Sequence, residues 1–148
     1  MKNKHKTYLK IAKLFANNST CCSRQTGCVI VRDGRIISTG YNGVPSNQEH
    51  CEHYWKRQNV FSREIHHQWS KENELHAESN ALMACCKNGI STKDAIMYMT
   101  ISPCANCALL IIQSGINEIF YEEEYDLSNG IKILKKNKIK CTKIKLEE

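Results

Sequence analysis

Two short stretches of the chain carry side chains that could hold a metal ion and move protons beside it. His76-Ala77-Glu78 puts an imidazole and a carboxylate two positions apart, and Pro103-Cys104-Ala105-Asn106-Cys107 puts two thiols three apart. Residues three apart are neighbours on a helix, so Cys104 and Cys107 can share one ion. Near a helix N-terminus the macrodipole favours the thiolate, which is the form that binds metal. With His76 they make three ligands and leave the fourth corner of a tetrahedral zinc to water, the mark of a catalytic rather than a closed structural site. Zinc lowers the pKa of that water to about 7. Glu78 and His76 point to different sides of a regular helix, so they converge only if the site lies beyond the helix's N-terminal end. A carboxylate held there, off the metal, can take a proton from water and pass it on. The competing reading is a structural Cys-x-x-Cys zinc with an unrelated His-x-Glu nearby. The proline before the first cysteine and the strand–helix junction around the pair favour catalysis.

The elements that must position these residues follow from hydrophobic spacing and turn chemistry. Tyr8, Ile11, Ala12, Leu14 and Phe15 predict a helix over Thr7–Ala16. Cys28 to Thr39 reads as two strands joined at Asp33-Gly34, a type I′ hairpin signal. Val44 to Lys71 has Pro45 as its breaker, carries His50, Cys51, His53, His66 and His67, and shows no clear period; a stretch like this is more often functional than idle. His76 to Lys87 predicts a helix stopped by Asn88-Gly89. Ala95–Ile101 reads as a strand. Ser102 is then the expected N-cap and Pro103 the first helical residue of a helix over Cys104–Ser114. Glu118–Tyr121, Ser128–Asn137 and Ile139–Ile144 read as strand, helix and strand. A hairpin followed by alternating helices and strands implies a mixed sheet covered by helices on both faces.

Composition narrows the class. The 148 residues are 41% hydrophobic and 24% charged, as expected for one globular domain. No apolar run approaches the roughly 18 residues of a membrane span, and Met1 to Lys6 is basic without a signal peptide's apolar core. Nine cysteines, an odd number with adjacent pairs at Cys21–Cys22 and Cys85–Cys86, suit metal ligands and buried thiols in a reducing compartment. Cys28, Cys85, Cys86 and Cys141 read as small buried apolar residues, and Trp55 and Trp69 as packing around the irregular stretch. The net charge of +6 is concentrated in Lys132, Lys135, Lys136, Lys138, Lys140, Lys143 and Lys145, a solvated face. What remains suits an anionic small molecule. Aromatics are only 7%, little for a groove that holds a nucleic-acid strand.

The whole signature, His-x-Glu and then Pro-Cys-x-x-Cys, resembles that of zinc deaminases acting on nucleobases. Further stretches bring the likeness closer: Gly27-Cys28-Val29-Ile30-Val31, Ile37 to Pro45, His76 to Ala81, Ser102-Pro103-Cys104 and Tyr121 to Tyr125. From about Cys21 to Tyr125 the chain resembles the deoxycytidylate deaminases, and the Gly-Tyr-Asn-Gly-x-Pro run at 40–45 separates that family from nucleoside and tRNA deaminases. The resemblance implies a three-layer α-β-α cytidine-deaminase-like fold with a five-stranded mixed sheet, one catalytic domain over 1–148. It implies hydrolysis of dCMP to dUMP and ammonia, supplying dUMP for dTMP synthesis, with Glu78 passing its proton to the ring nitrogen and the leaving amine. Turnover of dCTP as well stays open, and a tRNA, polynucleotide or nucleoside substrate is the less favoured alternative. The family also implies a cytoplasmic homohexamer, with no membrane or polynucleotide partner, activated by dCTP and inhibited by dTTP, with Mg2+ accompanying the triphosphates.

By the same resemblance Asn42 would hold the sugar hydroxyl and Tyr125 would line the base or sugar pocket. Ser23 and Arg24 would take the 5′-phosphate, which a guanidinium can grip bidentately. Ala77 and Ser102 would also touch the substrate, whereas Tyr121 reads as packing. Effectors would use Tyr41, Asn42 and Gly43. Here the chain departs from the family: Asn47 stands where many members have glycine, so a side chain must tolerate glycine's backbone angle or crowd a phosphate. Some relatives carry a second, structural zinc, whose ligands would correspond to Cys21, Cys51, His66 and Glu74. Such an ion would order the irregular stretch, because metal binding contributes directly to folding. Cys22, His50, His53 and His67 lie close enough in sequence to be alternative ligands.

Overall fold

Asp33 and Gly34 take φ of 52° and 73°, the pair of positive angles a type I′ turn needs. The expected hairpin closes there, between β1 (Gly27–Arg32) and β2 (Arg35–Tyr41). The structure is a computed structural model that describes residues 3–125 and 129–147. Strands β3 (Ile96–Ile101), β4 (Glu118–Glu123) and β5 (Lys140–Lys143) complete a five-stranded sheet in the order β2-β1-β3-β4-β5. The β1 strand pairs antiparallel with β2 and β3, while β3–β4 and β4–β5 are parallel. The sheet is therefore mixed, as the pattern implied.

Alternation along β1 splits the core into two. Cys28 and Ile30 face one side with Met97, Met99 and Ile119, under α4 (Ala77–Lys87), α5 (Ala105–Gln113) and α6 (Gly130–Lys136). Val29 and Val31 face the other side with Tyr98 and Phe120, against Leu9 and Ala12 of α1 (Lys4–Ala16). This gives three layers, with β1 buried on both faces. No described helix is long and apolar enough to cross a membrane.

Several boundaries differ from expectation. Helix α1 begins at Lys4 because Asn3 caps it, its side chain accepting from the backbone N–H of His5 and Lys6. The stretch after Val44 holds two helices, α2 (Cys51–Lys56) and α3 (Arg63–Asn73). The sequence hid them because only Cys51, Trp55 and His66 are buried on them, too few to set a period. They pack in a third cluster of Cys21, Cys51 and Trp55 flanked by Tyr54 and Trp69. Strand β4 runs to Glu123, two residues past Tyr121, and β5 covers only Lys140–Lys143. Ser128, the expected start of α6, lies outside the described residues. Cys86 is exposed rather than buried: its neighbour Cys85 takes the sheet-facing side of α4, and a helix turns about 100° per residue. The lysines from Lys132 to Lys145 are exposed.

Gly40 on β2 sets how closely α4 approaches. A Cβ there would lie 2.7 Å from the Ala81 backbone nitrogen and nearer still to the Ala77 carbonyl oxygen. Absence of a side chain thus lets the first turn of α4 rest on the strand backbone.

Candidate active site

Helices α4 and α5 begin at one place, and the side chains at their starts meet. His76 caps α4 with extended φ and ψ of −75° and 159°, and its side chain makes no capping bond, which frees the ring to turn outward. Cys104 caps α5, its Sγ accepting from the Cys107 backbone N–H at 3.4 Å. The expected arrangement, with Ser102 as cap and Pro103 as first helical residue, is shifted by two positions. The Cys104 sulfur does the capping, and the Ser102 hydroxyl instead accepts from the Tyr125 backbone N–H at 2.7 Å.

Nδ1 of His76 lies 3.5 Å from Cys104 Sγ and 3.4 Å from Cys107 Sγ, and all three donor atoms fall within 4.8 Å of one another. Donors about 2.0 and 2.3 Å from one ion at tetrahedral angles would stand roughly 3.5 Å apart. Electrostatics point the same way. Hydrogen bonds from the Cys107 thiol and then from His76 hold Cys104 down at about 4 despite its desolvation, while the same sharing and burial push Cys107 up. The thiolate of Cys104 also raises His76, so the cluster attracts positive charge. Its donor set, two thiols and one imidazole, fits zinc.

Glu78 is the second residue of α4 and is buried. Desolvation pushes its carboxyl above the ordinary range, partly offset by His76. Burial therefore favours its protonated form over the bare carboxylate. Ser79, a residue that sequence reasoning did not single out, places its hydroxyl 3.6 Å from Cys107 Sγ. Its position in the first turn of α4, next to Glu78, was the available signal.

Four of the other expected residues, Asn42, Arg24, Tyr125 and Ser102, are linked in a row. Asn42 clamps the loop before β1: its Oδ1 accepts from the Thr26 N–H at 2.9 Å and its Nδ2 donates to the Arg24 carbonyl at 2.7 Å. Arg24 Nη2 stands 3.4 Å from Glu123 Oε2, and the guanidinium carbon lies 6.0 Å from the Tyr125 ring centroid. Glu123 was not anticipated; three consecutive carboxylates at 122–124 were the signal. Ser23 is exposed, Ala77 fully buried, and Tyr121 packs in the core. Tyr41 is exposed and its carbonyl accepts from Asn80 Nδ2, while Gly43 bridges to Leu75. Asn47 has φ of 69°, the left-handed angle that asparagine adopts more readily than most side chains.

A second group of donors is gathered under α2 and α3. His66 Nε2 lies 3.3 Å from Cys51 Sγ, 3.6 Å from Cys21 Sγ and 3.5 Å from Glu74 Oε1, and Cys21 Sγ is 3.5 Å from that same oxygen. Burial raises the Cys21 thiol and raises Cys51 further. Glu74 Oε2 is buried without a hydrogen-bond partner, an expensive state for a carboxylate unless a cation is near. Of the alternatives, His50, His53 and His67 are exposed. Cys22 is exposed as well, its Sγ 3.5 Å from Cys51.

Residues 2–123 match the family model described as the cytidine and deoxycytidylate deaminase zinc-binding region. The deoxycytidylate deaminase of Enterobacteria phage T2 is 39% identical over 153 residues, covering 83% of this chain and 81% of that protein. The deoxycytidylate deaminase of Saccharomyces cerevisiae is 36% identical over 131 residues, covering 86% of this chain and 40% of that longer one. Among solved structures, the dCMP deaminase of cyanophage S-TIM5 in complex with dCMP and dUMP superposes with a TM-score of 0.80 at 30% identity, over 97% of this chain and 99% of that one.

Proposed function

The chain belongs to the cytidine and deoxycytidylate deaminase zinc-binding family, and from that premise we propose that it hydrolyses dCMP to dUMP and ammonia. The observation that carries this reading is the meeting of His76, Cys104 and Cys107 within 4.8 Å at the starts of two helices, with the buried acid Glu78 two residues on from His76 in the first turn of α4. The relatives named deoxycytidylate deaminase support the choice of nucleotide.

His76, Cys104 and Cys107 would hold the zinc, which supplies a Lewis acid that makes water nucleophilic near neutral pH. Glu78 takes a proton from the attacking water and delivers it to N3 of cytosine. As the water oxygen bonds to C4, its second proton passes through Glu78 to the 4-amino group, so that the C4–N bond breaks, ammonia leaves and the oxygen stays on C4 as the carbonyl of uracil. The raised pKa of Glu78 suits both halves of that task. Asn42 fixes the loop that presents Ser23 and Arg24 to the 5′-phosphate and faces the sugar with its remaining hydrogen-bonding capacity. Tyr125, tied to Ser102, walls the pocket together with the backbone of Ala77.

Cys21, Cys51, His66 and Glu74 would hold a structural zinc, a reading supported by their spacing and by the orphaned oxygen of Glu74. Control by dCTP and dTTP with Mg2+ would act through Tyr41, Asn42 and Gly43 in a cytoplasmic homohexamer. The left-handed turn at Asn47 is compatible with that, because it keeps glycine's backbone path.

The test is a panel of cytidine, deoxycytidine, dCMP and dCTP presented to zinc-loaded protein, with and without dTTP. Loss of cytosine absorbance with ammonia release should be fastest on dCMP. Absence of dCMP turnover under every effector condition ends the proposal.

A further inference from the structure

We infer that Glu123 restricts the site to substrates bearing one phosphate, an inference that rests on reading Ser23 and Arg24 as the phosphate cradle. The backbone of that loop is fixed, since Asn42 holds the Arg24 carbonyl and the Thr26 N–H. The Arg24 guanidinium lies beyond that clamp, and its carboxylate partner is Glu123 at 3.4 Å. Beside them a cleft of about 310 Å3 is lined by Lys13, Asn17, Ser23, Arg24, Glu122 and Glu123. Lys13 is itself paired with Glu122 at 3.2 Å. Each cation of the cleft therefore faces a carboxylate, and the two positive charges are matched by two negative ones.

A single phosphate can be accommodated by exchange. Arg24 turns from Glu123 to the phosphate and trades one charge-assisted bond for another. A triphosphate brings further negative charge into a cleft whose second cation is engaged, and that charge must lie against Glu123. Placing a like charge against the competitor is a direct route to specificity, because it penalises dCTP without having to strengthen dCMP. The side chains of Arg24 and Glu123 are 48% and 63% exposed, so water and salt damp the repulsion. The discrimination it gives is a few-fold, the scale of an exposed charge pair.

Glu123→Gln removes the charge at nearly constant shape. With the zinc-loaded full chain, kcat/KM is measured for dCMP and dCTP, with deoxycytidine as the reference lacking phosphate. The preference for dCMP over dCTP should fall a few-fold, return with Glu123→Asp, and shrink with added salt in the parent but not in the Gln variant. An unchanged preference overturns the inference, as does an equal loss on both nucleotides, which would make Glu123 merely a support for Arg24. Arg24→Ala, run alongside, separates the two layers. It should raise KM for dCMP more than for deoxycytidine. If it does so while Glu123→Gln leaves the preference intact, the selectivity role alone is wrong. If KM for dCMP does not move, the phosphate cradle is misplaced and Glu123 loses its role with it.

Discussion

Nδ1 of His76 lies 3.4 Å from Sγ of Cys107, thirty-one positions away in the chain. That separation is set by where two helices start. Each helix start contributes its cap, His76 for α4 and Cys104 for α5. Replacing a ligand should therefore empty the site while leaving the sheet intact. Cys107→Ser or His76→Ala is expected to weaken zinc binding by more than the ~10–100-fold typical of losing an outer-shell partner. Metal analysis after dialysis, with circular dichroism as the check on folding, measures this. Full retention of zinc by either variant would place the ion elsewhere.

Glu78→Gln keeps shape and burial but cannot relay a proton. We predict a fall in kcat of ~10²–10⁴ with zinc content unchanged. The parent's rate should also drop on acidification, because the carboxyl must be ionised to accept water's proton and its pKa is raised by burial. Turnover of Glu78→Gln at the parent's rate would remove Glu78 from the mechanism.

The same shift has a consequence for stability in the metal-free protein. A folded-state carboxyl pKa above its unfolded value means that the native chain binds the proton more tightly. The stabilisation is complete below the unfolded pKa and is lost as pH rises through the folded one. Thermal unfolding of metal-free parent and Glu78→Gln is compared from pH 4 upward, about where an ordinary glutamate titrates. The parent should lose melting temperature relative to the variant as pH increases. Parallel profiles would mean that burial costs Glu78 nothing.

Both halves of the metal motif and the hairpin were legible because each depends on a few residues close in sequence. Asp33-Gly34 specifies its own turn, and Cys104 and Cys107 are neighbours by helical spacing alone. Convergence of His76 with them was inferred from ligand chemistry rather than from periodicity. Helices α2 and α3 were not legible. Their buried residues face a small cluster of Cys21, Cys51, Trp55 and His66 instead of a wide apolar surface, so no stripe was written into the sequence. The pairing of Arg24 with Glu123 was invisible for another reason: ninety-nine positions separate them, and the antiparallel pairing of β1 with β3 and the parallel pairing of β3 with β4 together bring the end of β4 beside the loop before β1.

The second donor cluster predicts two zinc ions per chain. His66→Asn or Cys51→Ser should reduce the count to one and speed amide exchange in α2 and α3, whose packing is otherwise limited to a few aromatic contacts. Cys22→Ser should leave both the count and the exchange unchanged, since Cys22 sits outside the gathered four. One ion in the parent, or loss of the second ion with Cys22→Ser, would contradict this assignment.

Gly40 offers a test of how tightly the fold sets the chemistry. It carries no functional group, yet any side chain there strikes the backbone of α4 at Ala77 and Ala81. Backbone cannot move aside as a flexible side chain can, so Gly40→Ala must lift the first turn of α4 or bend β2. Overpacking of this kind costs about 1–3 kcal/mol, measurable as a lower denaturation midpoint. The displaced turn begins at His76 and carries Glu78, so the damage should fall on the reacting geometry rather than on nucleotide capture at the Arg24 loop. A small shift of catalytic groups can lower rates by up to ~10²-fold, so kcat should drop well beyond any change in KM. Gly43, where a Cβ meets nothing within 4 Å, supplies the control: Gly43→Ala should leave stability close to that of the parent. If Gly40→Ala lowers stability but spares kcat, the first turn of α4 is held by something other than its seat on β2.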